Sequence, residues 1–122
     1  MPIENAWEPS GLHMLYTGEL EGDEILPHVL KLAGDTRIDS VKYTIGDFSG
    51  AKTINADYMH VEALVAYNAA LAKTNPSIQN PTVAPSNEFG QTLVSLYVLL
   101  TEDMPWRTEW FYSEHEARHW IT

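Results

Sequence analysis

Apolar positions along the chain change period several times, and each change predicts an element. Residues 1–10 carry no sustained apolar pattern and read as a polar N-terminal extension. Gly11-Leu-His-Met-Leu-Tyr-Thr-Gly-Glu-Leu20 mixes apolar and β-favouring residues, which predicts a strand over Leu12 to Glu19. Asp23 then stands as a helix cap, with Glu24 at the positive end of the dipole and Ile25, Val29 and Leu32 at helical spacing. Pro27 is tolerated only if it falls in the first turn, and Gly34 ends the helix. Val41, Tyr43 and Ile45 alternate with Lys42 and Thr44, the pattern of a strand covered on one side. Gly46-Asp-Phe-Ser-Gly50 breaks that pattern into a loop.

From Asn55 to Lys73, Tyr58, Val61, Leu64, Val65, Asn68 and Leu71 fall on one stripe among alanines, which predicts an amphipathic helix. The stretch from Asn75 to Pro85 contains Pro76, Pro81 and Pro85. Because proline cannot donate to a ladder, a strand over Ile78 to Ala84 is expected to be short, irregular or at a sheet edge. Ser86 or Asn87 caps the next helix, whose Phe89, Leu93, Leu96, Tyr97 and Leu100 form one seam. Val94, Val98 and Leu99 fill much of the remaining circumference, so this helix is expected to be buried on two sides or pressed against a partner. Thr108 to Tyr112 reads as a strand, and Ser113 caps a final helix with Glu116 three residues on. The alternation of strands and helices predicts one α/β domain over residues 1–122, with a four- to five-stranded, mostly parallel sheet covered by helices.

Composition narrows the functions this domain can have. The 122 residues include 44% hydrophobic residues, enough to bury a core. Seven Lys and Arg oppose 17 Asp and Glu, and a formal net charge of −10 repels a phosphate backbone, which argues against a nucleic-acid partner. No run approaches the roughly 20 apolar residues that span a bilayer, so stable membrane insertion is not expected. The lack of cysteine removes disulfides, thiolate metal sites and a cysteine nucleophile. With no signal-peptide pattern at the start, the expected location is the cytoplasm.

Candidate chemistry is sparse. His115-Glu-Ala-Arg-His119 has the H-E-x-x-H spacing of a zinc hydrolase, with His115 and His119 as ligands and Glu116 as base. The chain runs only three residues past His119, and the upstream His13, His28 and His60 have no spacing that selects a third ligand. The motif is therefore read as a solvent-facing helical turn, with no metal, cofactor or catalytic residue expected. Glu19, Glu21, Asp23 and Glu24 cluster where a helix begins and read as a solvated face that complements its dipole.

The segments Gly11 to Gly18, Asp35 to Asp39 with Tyr43 to Ser49, and above all Trp110-Phe-Tyr-Ser-Glu-His-Glu-Ala-Arg-His-Trp-Ile121 resemble bacterial SpoIIAA-like proteins. These share the fold of STAS domains, which is related to the CRAL-TRIO lipid-binding domains. The resemblance spans Gly11 to Ile121 and implies a module that binds a protein partner or a small apolar ligand. In the anti-sigma-factor antagonists of that fold a phosphorylatable serine sits in an Asp-Ser-Ser-Gly loop. Ser49 is the matching hydroxyl, flanked by Asp47 and Gly50, with Phe48 in place of the first serine. A phosphate there would add about −1.5 to −2 charge and switch a partner interface.

The leading expectation is thus a non-enzymatic module that takes a protein partner or a small apolar ligand such as a lipid. The lining expected of its pocket is Phe48, Leu96, Tyr97, Leu100, Trp106 and Trp110. The alternatives are a homodimer joined through the apolar helix, with a switch at Ser49, and, more distantly, the zinc hydrolase.

Overall fold

Parallel strands cannot be joined by a tight turn, so each helix between them must serve as a crossover. The computed structural model, which describes residues 2–122, shows three such crossovers. The strands are β1 (Ile3–Trp7), β2 (Gly11–Glu21), β3 (Tyr43–Asn55), β4 (Gln79–Val83) and β5 (Arg107–Phe111), in the spatial order β1-β2-β3-β4-β5. Strands β2 to β5 run parallel, and β1 lies antiparallel to β2. The helices are α1 (Gly22–Leu32), α2 (Tyr58–Thr74), α3 (Glu88–Leu100) and α4 (Glu114–Trp120), with a single 3-10 turn at Thr36–Asp39. Consecutive parallel strands are spatial neighbours, so every crossover steps the same way and α1, α2 and α3 cover one face of the sheet. On the opposite face α4 packs alone, with Ala117 against Ile45 and Val83.

The structure corrects three expectations. The N-terminal extension is not free: Ile3–Trp7 forms the edge strand β1, paired from Ile3↔Tyr16 to Trp7↔Leu12. Backbone pairing holds a mostly exposed segment that shows no apolar alternation. Helix α1 starts at Gly22 with Glu21 at its cap, where Glu21 N–H donates to Glu24 Oε1 at 3.2 Å, rather than at Asp23. Pro27 therefore falls in the second turn, where its ring nitrogen leaves one helical carbonyl unpaired.

The third correction concerns Asp47 to Gly50, which is no loop. Strand β3 continues through it to Asn55 and stays paired with β2. Between the pairs Leu15↔Asp47 and Thr17↔Gly50, β3 carries one more residue than β2, and it does so again between Gly18↔Ala51 and Glu19↔Thr53. The turn-forming residues thus make bulges instead of a turn, with Asp47 Oδ1 accepting from Ser49 N–H at 3.0 Å. Opposite the second bulge, Gly18 of β2 takes the left-handed conformation at φ +72°, which glycine adopts without strain.

Strand β4 is short, as its prolines predict, and Pro81 lies within it, between β3 and β5 and fully buried. Gln79 N–H donates to Lys42 O at 3.0 Å, so in the parallel ladder the next donor along β4 would be residue 81, aimed at Thr44 O. Proline has no N–H, and the Asn80 side chain supplies the missing donor: its Nδ2 reaches Thr44 O at 2.9 Å. Replacing Asn80 by alanine is expected to lower the unfolding free energy by about 2–4 kcal/mol, since it strands a buried carbonyl and a buried phenol together. Pro81→Val in that background restores a backbone donor and should recover part of the loss in urea denaturation; no recovery would show that the ladder gap is not what Asn80 fills.

Candidate functional site

Period-two alternation sends every second side chain of the central strands toward α1, α2 and α3. Those residues are Met14 and Tyr16 of β2, Thr44, Gly46 and Phe48 of β3, and Asn80 and Thr82 of β4, and they line one wall of a cavity of ≈ 90 Å³. The opposite wall comes from helical positions three or four apart: Ile25, Val29 and Leu32 of α1, Val61, Leu64, Asn68 and Leu71 of α2, and Leu93 and Tyr97 of α3. Gly46 contributes by omission, since a Cβ built there would meet nothing nearer than 3.8 Å. At one end Trp106 closes the space, its indole N–H held by Asn75 O at 2.8 Å.

A chain of buried hydrogen bonds forms the polar part of the lining. Asn68 Nδ2 donates to the Tyr97 hydroxyl at 2.9 Å, which donates to Asn80 Oδ1 at 2.5 Å, and Asn80 Nδ2 reaches Thr44. Helices α2 and α3 are thereby tied to β4 and β3 through neutral groups. Burial pushes the phenols of Tyr97 and Tyr16 far above their ordinary value, so both stay uncharged. The lining includes no Lys, Arg, Asp or Glu, and its aromatic wall is Tyr16 stacked on Phe48 with centroids 4.3 Å apart.

Of the six pocket residues expected from sequence, Phe48, Tyr97 and Trp106 line the cavity, while Leu96, Leu100 and Trp110 do not. Leu96 and Leu100 sit roughly 60° around α3 from Leu93 and Tyr97 and pack on the core beside the cavity. Trp110 belongs to β5, one strand beyond the β2 to β4 floor, where it meets Tyr112 edge-on. Among the lining residues that sequence reasoning missed are the alternating Met14, Tyr16 and Thr82 and the amides Asn68 and Asn80. Only the two amides gave a signal, being polar at positions the pattern marks as buried. In α3, Leu93, Val94 and Tyr97 face inward, while Phe89, expected in the same seam, and Leu99 are exposed.

Lining residues that keep solvent contact, among them Leu26, Phe48, Ala56 and His60, mark the rim near the starts of α1 and α2. There His60 bridges the two helices, with Nε2 3.0 Å from Asp23 Oδ1 and Nδ1 2.9 Å from Asp57 Oδ1. Chiefly the Asp23 carboxylate, and then Asp57, raise the His60 pKa above 6.5.

The other face of the sheet carries the charge. His13 and Asp47, both buried, pair at 2.8 Å between Nε2 and Oδ2. Arg118 of α4 grips Glu8 in a two-pronged contact at 3.0 and 2.7 Å, holds Glu114 at 2.6 Å and comes within 3.5 Å of His13 Nδ1. Tyr43 donates its hydroxyl to Glu8 as well. Mainly the Arg118 hydrogen bonds hold the Glu8 carboxyl down at about 2. His13, Asp47 and Glu114 bring ligand atoms within 4.8 Å of one another, a spacing that could hold a metal ion. The Arg118 guanidinium already supplies the positive charge there, so the cluster fits a tether between the chain's two ends better than a metal centre.

Asp47 is buried beside His13, and Ser49 is exposed on a bulge of β3, its N–H donating to Asp47 Oδ1, whereas α2 starts only at Tyr58. Ser49 therefore lies on an exposed strand bulge and not at a helix N-terminus. In α4, a helix of seven residues, His115 and His119 meet edge-on with centroids 4.4 Å apart on the exposed side, and Glu116 Oε1 accepts from the Ser113 hydroxyl at 3.2 Å. Ser113 caps this helix as expected, its hydroxyl accepting from Glu116 N–H.

Together the sheet order, the layer of three helices and the single opposing helix define a SpoIIAA-like fold. The chain is similar to the crystal structure of an uncharacterized protein from the DUF3478 family with a SpoIIAA-like fold, from Shewanella loihica PV-4. The TM-score is 0.55 at 10% identity, over 98% of this chain and 92% of that one. No protein-family model and no curated protein matches the sequence. Among the described residues, no helix is long and apolar enough to cross a membrane.

Two pH dependences follow. A carboxyl held at about 2 when folded and near 4.5 when unfolded adds stability above pH 4.5 that is lost as pH falls toward 2. The gap in urea midpoint between wild type and Glu8→Gln should therefore be constant above that window and close within it; a gap that persists at the acid end would contradict the Glu8–Arg118 tether. His60 has the opposite sign. Its raised folded pKa adds stability below pH 6.5 that fades as pH rises through the folded value. His60→Gln should flatten the stability profile across neutral pH, and an unchanged slope would exclude the bridge to Asp23.

Proposed function

We propose that this protein is a binding module, not an enzyme, and that it holds a small apolar molecule between its sheet and the layer of α1, α2 and α3. The observation that carries this reading is the cavity of ≈ 90 Å³ with its almost wholly apolar lining. Protein interiors pack nearly without voids wider than a water molecule, and apolar cavities stay dry and accept apolar guests. Engineered apolar cavities of about 150 Å³ hold benzene. With the half-buried Leu26 and Leu64 free to shift at the rim, the space suits one ring or a short branched chain rather than a long acyl tail.

Toluene tests the reading directly. At ten times its Kd a ligand that binds only the native state raises the unfolding free energy by about 1.4 kcal/mol. The methyl resonances of Ile25, Val29 and Leu93 should shift in the same titration. Gly46→Ala places a methyl group in the empty volume without a clash. It is expected to stabilise the free protein by about 0.5–1 kcal/mol and to weaken toluene several-fold. A titration in which toluene moves neither the stability nor those resonances would sink the proposal.

A further inference from the structure

Within the cavity, the two buried phenols differ in how they are bonded. The Tyr97 hydroxyl both donates and accepts, and Asn80 is committed to Tyr97 and Thr44. Tyr16 is equally buried, at 3% exposure, and lines the same space, yet its hydroxyl has only Met14 Sδ within reach at 3.7 Å. A thioether is a weak acceptor, and buried hydroxyls otherwise find strong partners. The ring cannot swing away to find one, because it is stacked on Phe48 at an interplanar angle of 5° and meets His28 edge-on.

We infer that the cavity selects an uncharged ligand bearing one oxygen, a phenol, alcohol or ketone, which takes the hydrogen bond from Tyr16. This rests on the reading of the cavity as a ligand site and names the class of ligand. Charge is excluded on physical grounds. An anion buried here would lose its hydration and meet no cation, since the titratable groups in the lining are Tyr16, Tyr97 and, at the rim, His60. The charge of His60 is already engaged by the carboxylates of Asp23 and Asp57. A cation would find no carboxylate in the lining. The oxygen of a neutral ligand has a donor waiting and the rest of the molecule has apolar walls, including the Tyr16–Phe48 pair against which a flat ring can lie.

Phenol, toluene and benzoate, which share one ring, separate the possibilities when titrated at pH 7 by protein-observed NMR. Tyr16→Phe is expected to weaken phenol about three- to tenfold while leaving toluene within about twofold, the size of one hydrogen bond lost from a cavity otherwise intact. Two measurements on the wild-type protein need no variant. Phenol should shift the Cζ resonance of labelled Tyr16 further than toluene does, and benzoate should bind at least tenfold more weakly than phenol. An unchanged phenol-to-toluene ratio in Tyr16→Phe, a Tyr16 Cζ that ignores phenol, or benzoate matching phenol would each overturn the inference while toluene binding still upholds the cavity. If toluene itself does not bind, the underlying reading fails and this one with it.

Discussion

A missing hydrogen-bond donor in the middle of a parallel sheet governs much of this structure. Pro81 lies in β4 with a strand on either side, so the Thr44 carbonyl of β3 faces a position that has no N–H. A buried carbonyl left so would be costly, and the remedy is a side chain rather than a rearranged backbone. Asn80, turned toward the helices by strand alternation, donates to Thr44 and offers its own oxygen to Tyr97. That second bond orients α3, and Asn68 extends it to α2. Helices α2 and α3 are therefore held over the sheet by a specific directional chain as well as by apolar contact, and the cavity is the space left beside that chain.

The sheet keeps two incompatible environments apart by alternation alone. Adjacent residues of β3 demonstrate it: Gly46 and Phe48 line the neutral cavity, while Asp47 between them pairs with His13 on the opposite face. On that face the charges satisfy one another through Arg118, which joins the turn after β1 to the final helix. On the cavity side, burial keeps every lining phenol neutral and the carboxylates stay outside. Ligand chemistry and the tethering of the chain ends are thus separated by the thickness of one strand.

Much of the architecture was legible because local signals and tertiary structure agree. The Asn87 and Ser113 side chains cap their helices as their types suggest, and the stripe through Val61, Asn68 and Leu71 is the buried stripe of α2. The misreadings share one cause: residues that favour turns are also those that tolerate irregular strands. Asp47, Ser49 and Gly50 are such residues, yet pairing with β2 turns them into a bulge. Pro81 makes β4 short, as expected, but no local feature announces that a neighbouring asparagine will donate in its place and let the strand lie inside the sheet. Phe48, Tyr97 and Trp106 lie around one cavity because large aromatics at core spacing tend to meet. Leu96, Leu100 and Trp110 lie outside it because rotation about α3 and the position of β5 in the sheet are not properties of any short segment.

The sequence by itself determined the period of most elements, the caps of α3 and α4 and the apolar excess that a mostly parallel, helix-covered sheet must bury, since these depend on neighbours within a turn or two. Tertiary structure alone decided which buried polar groups meet. His13 finds Asp47 across 34 residues and Arg118 finds Glu8 across 110, while Tyr97 stands between two asparagines and Tyr16 has only a sulfur to bond. The physical reason is that hydrogen-bond satisfaction is a property of a three-dimensional neighbourhood. A tyrosine in a β pattern looks the same in sequence whether its hydroxyl is satisfied or left free for a ligand.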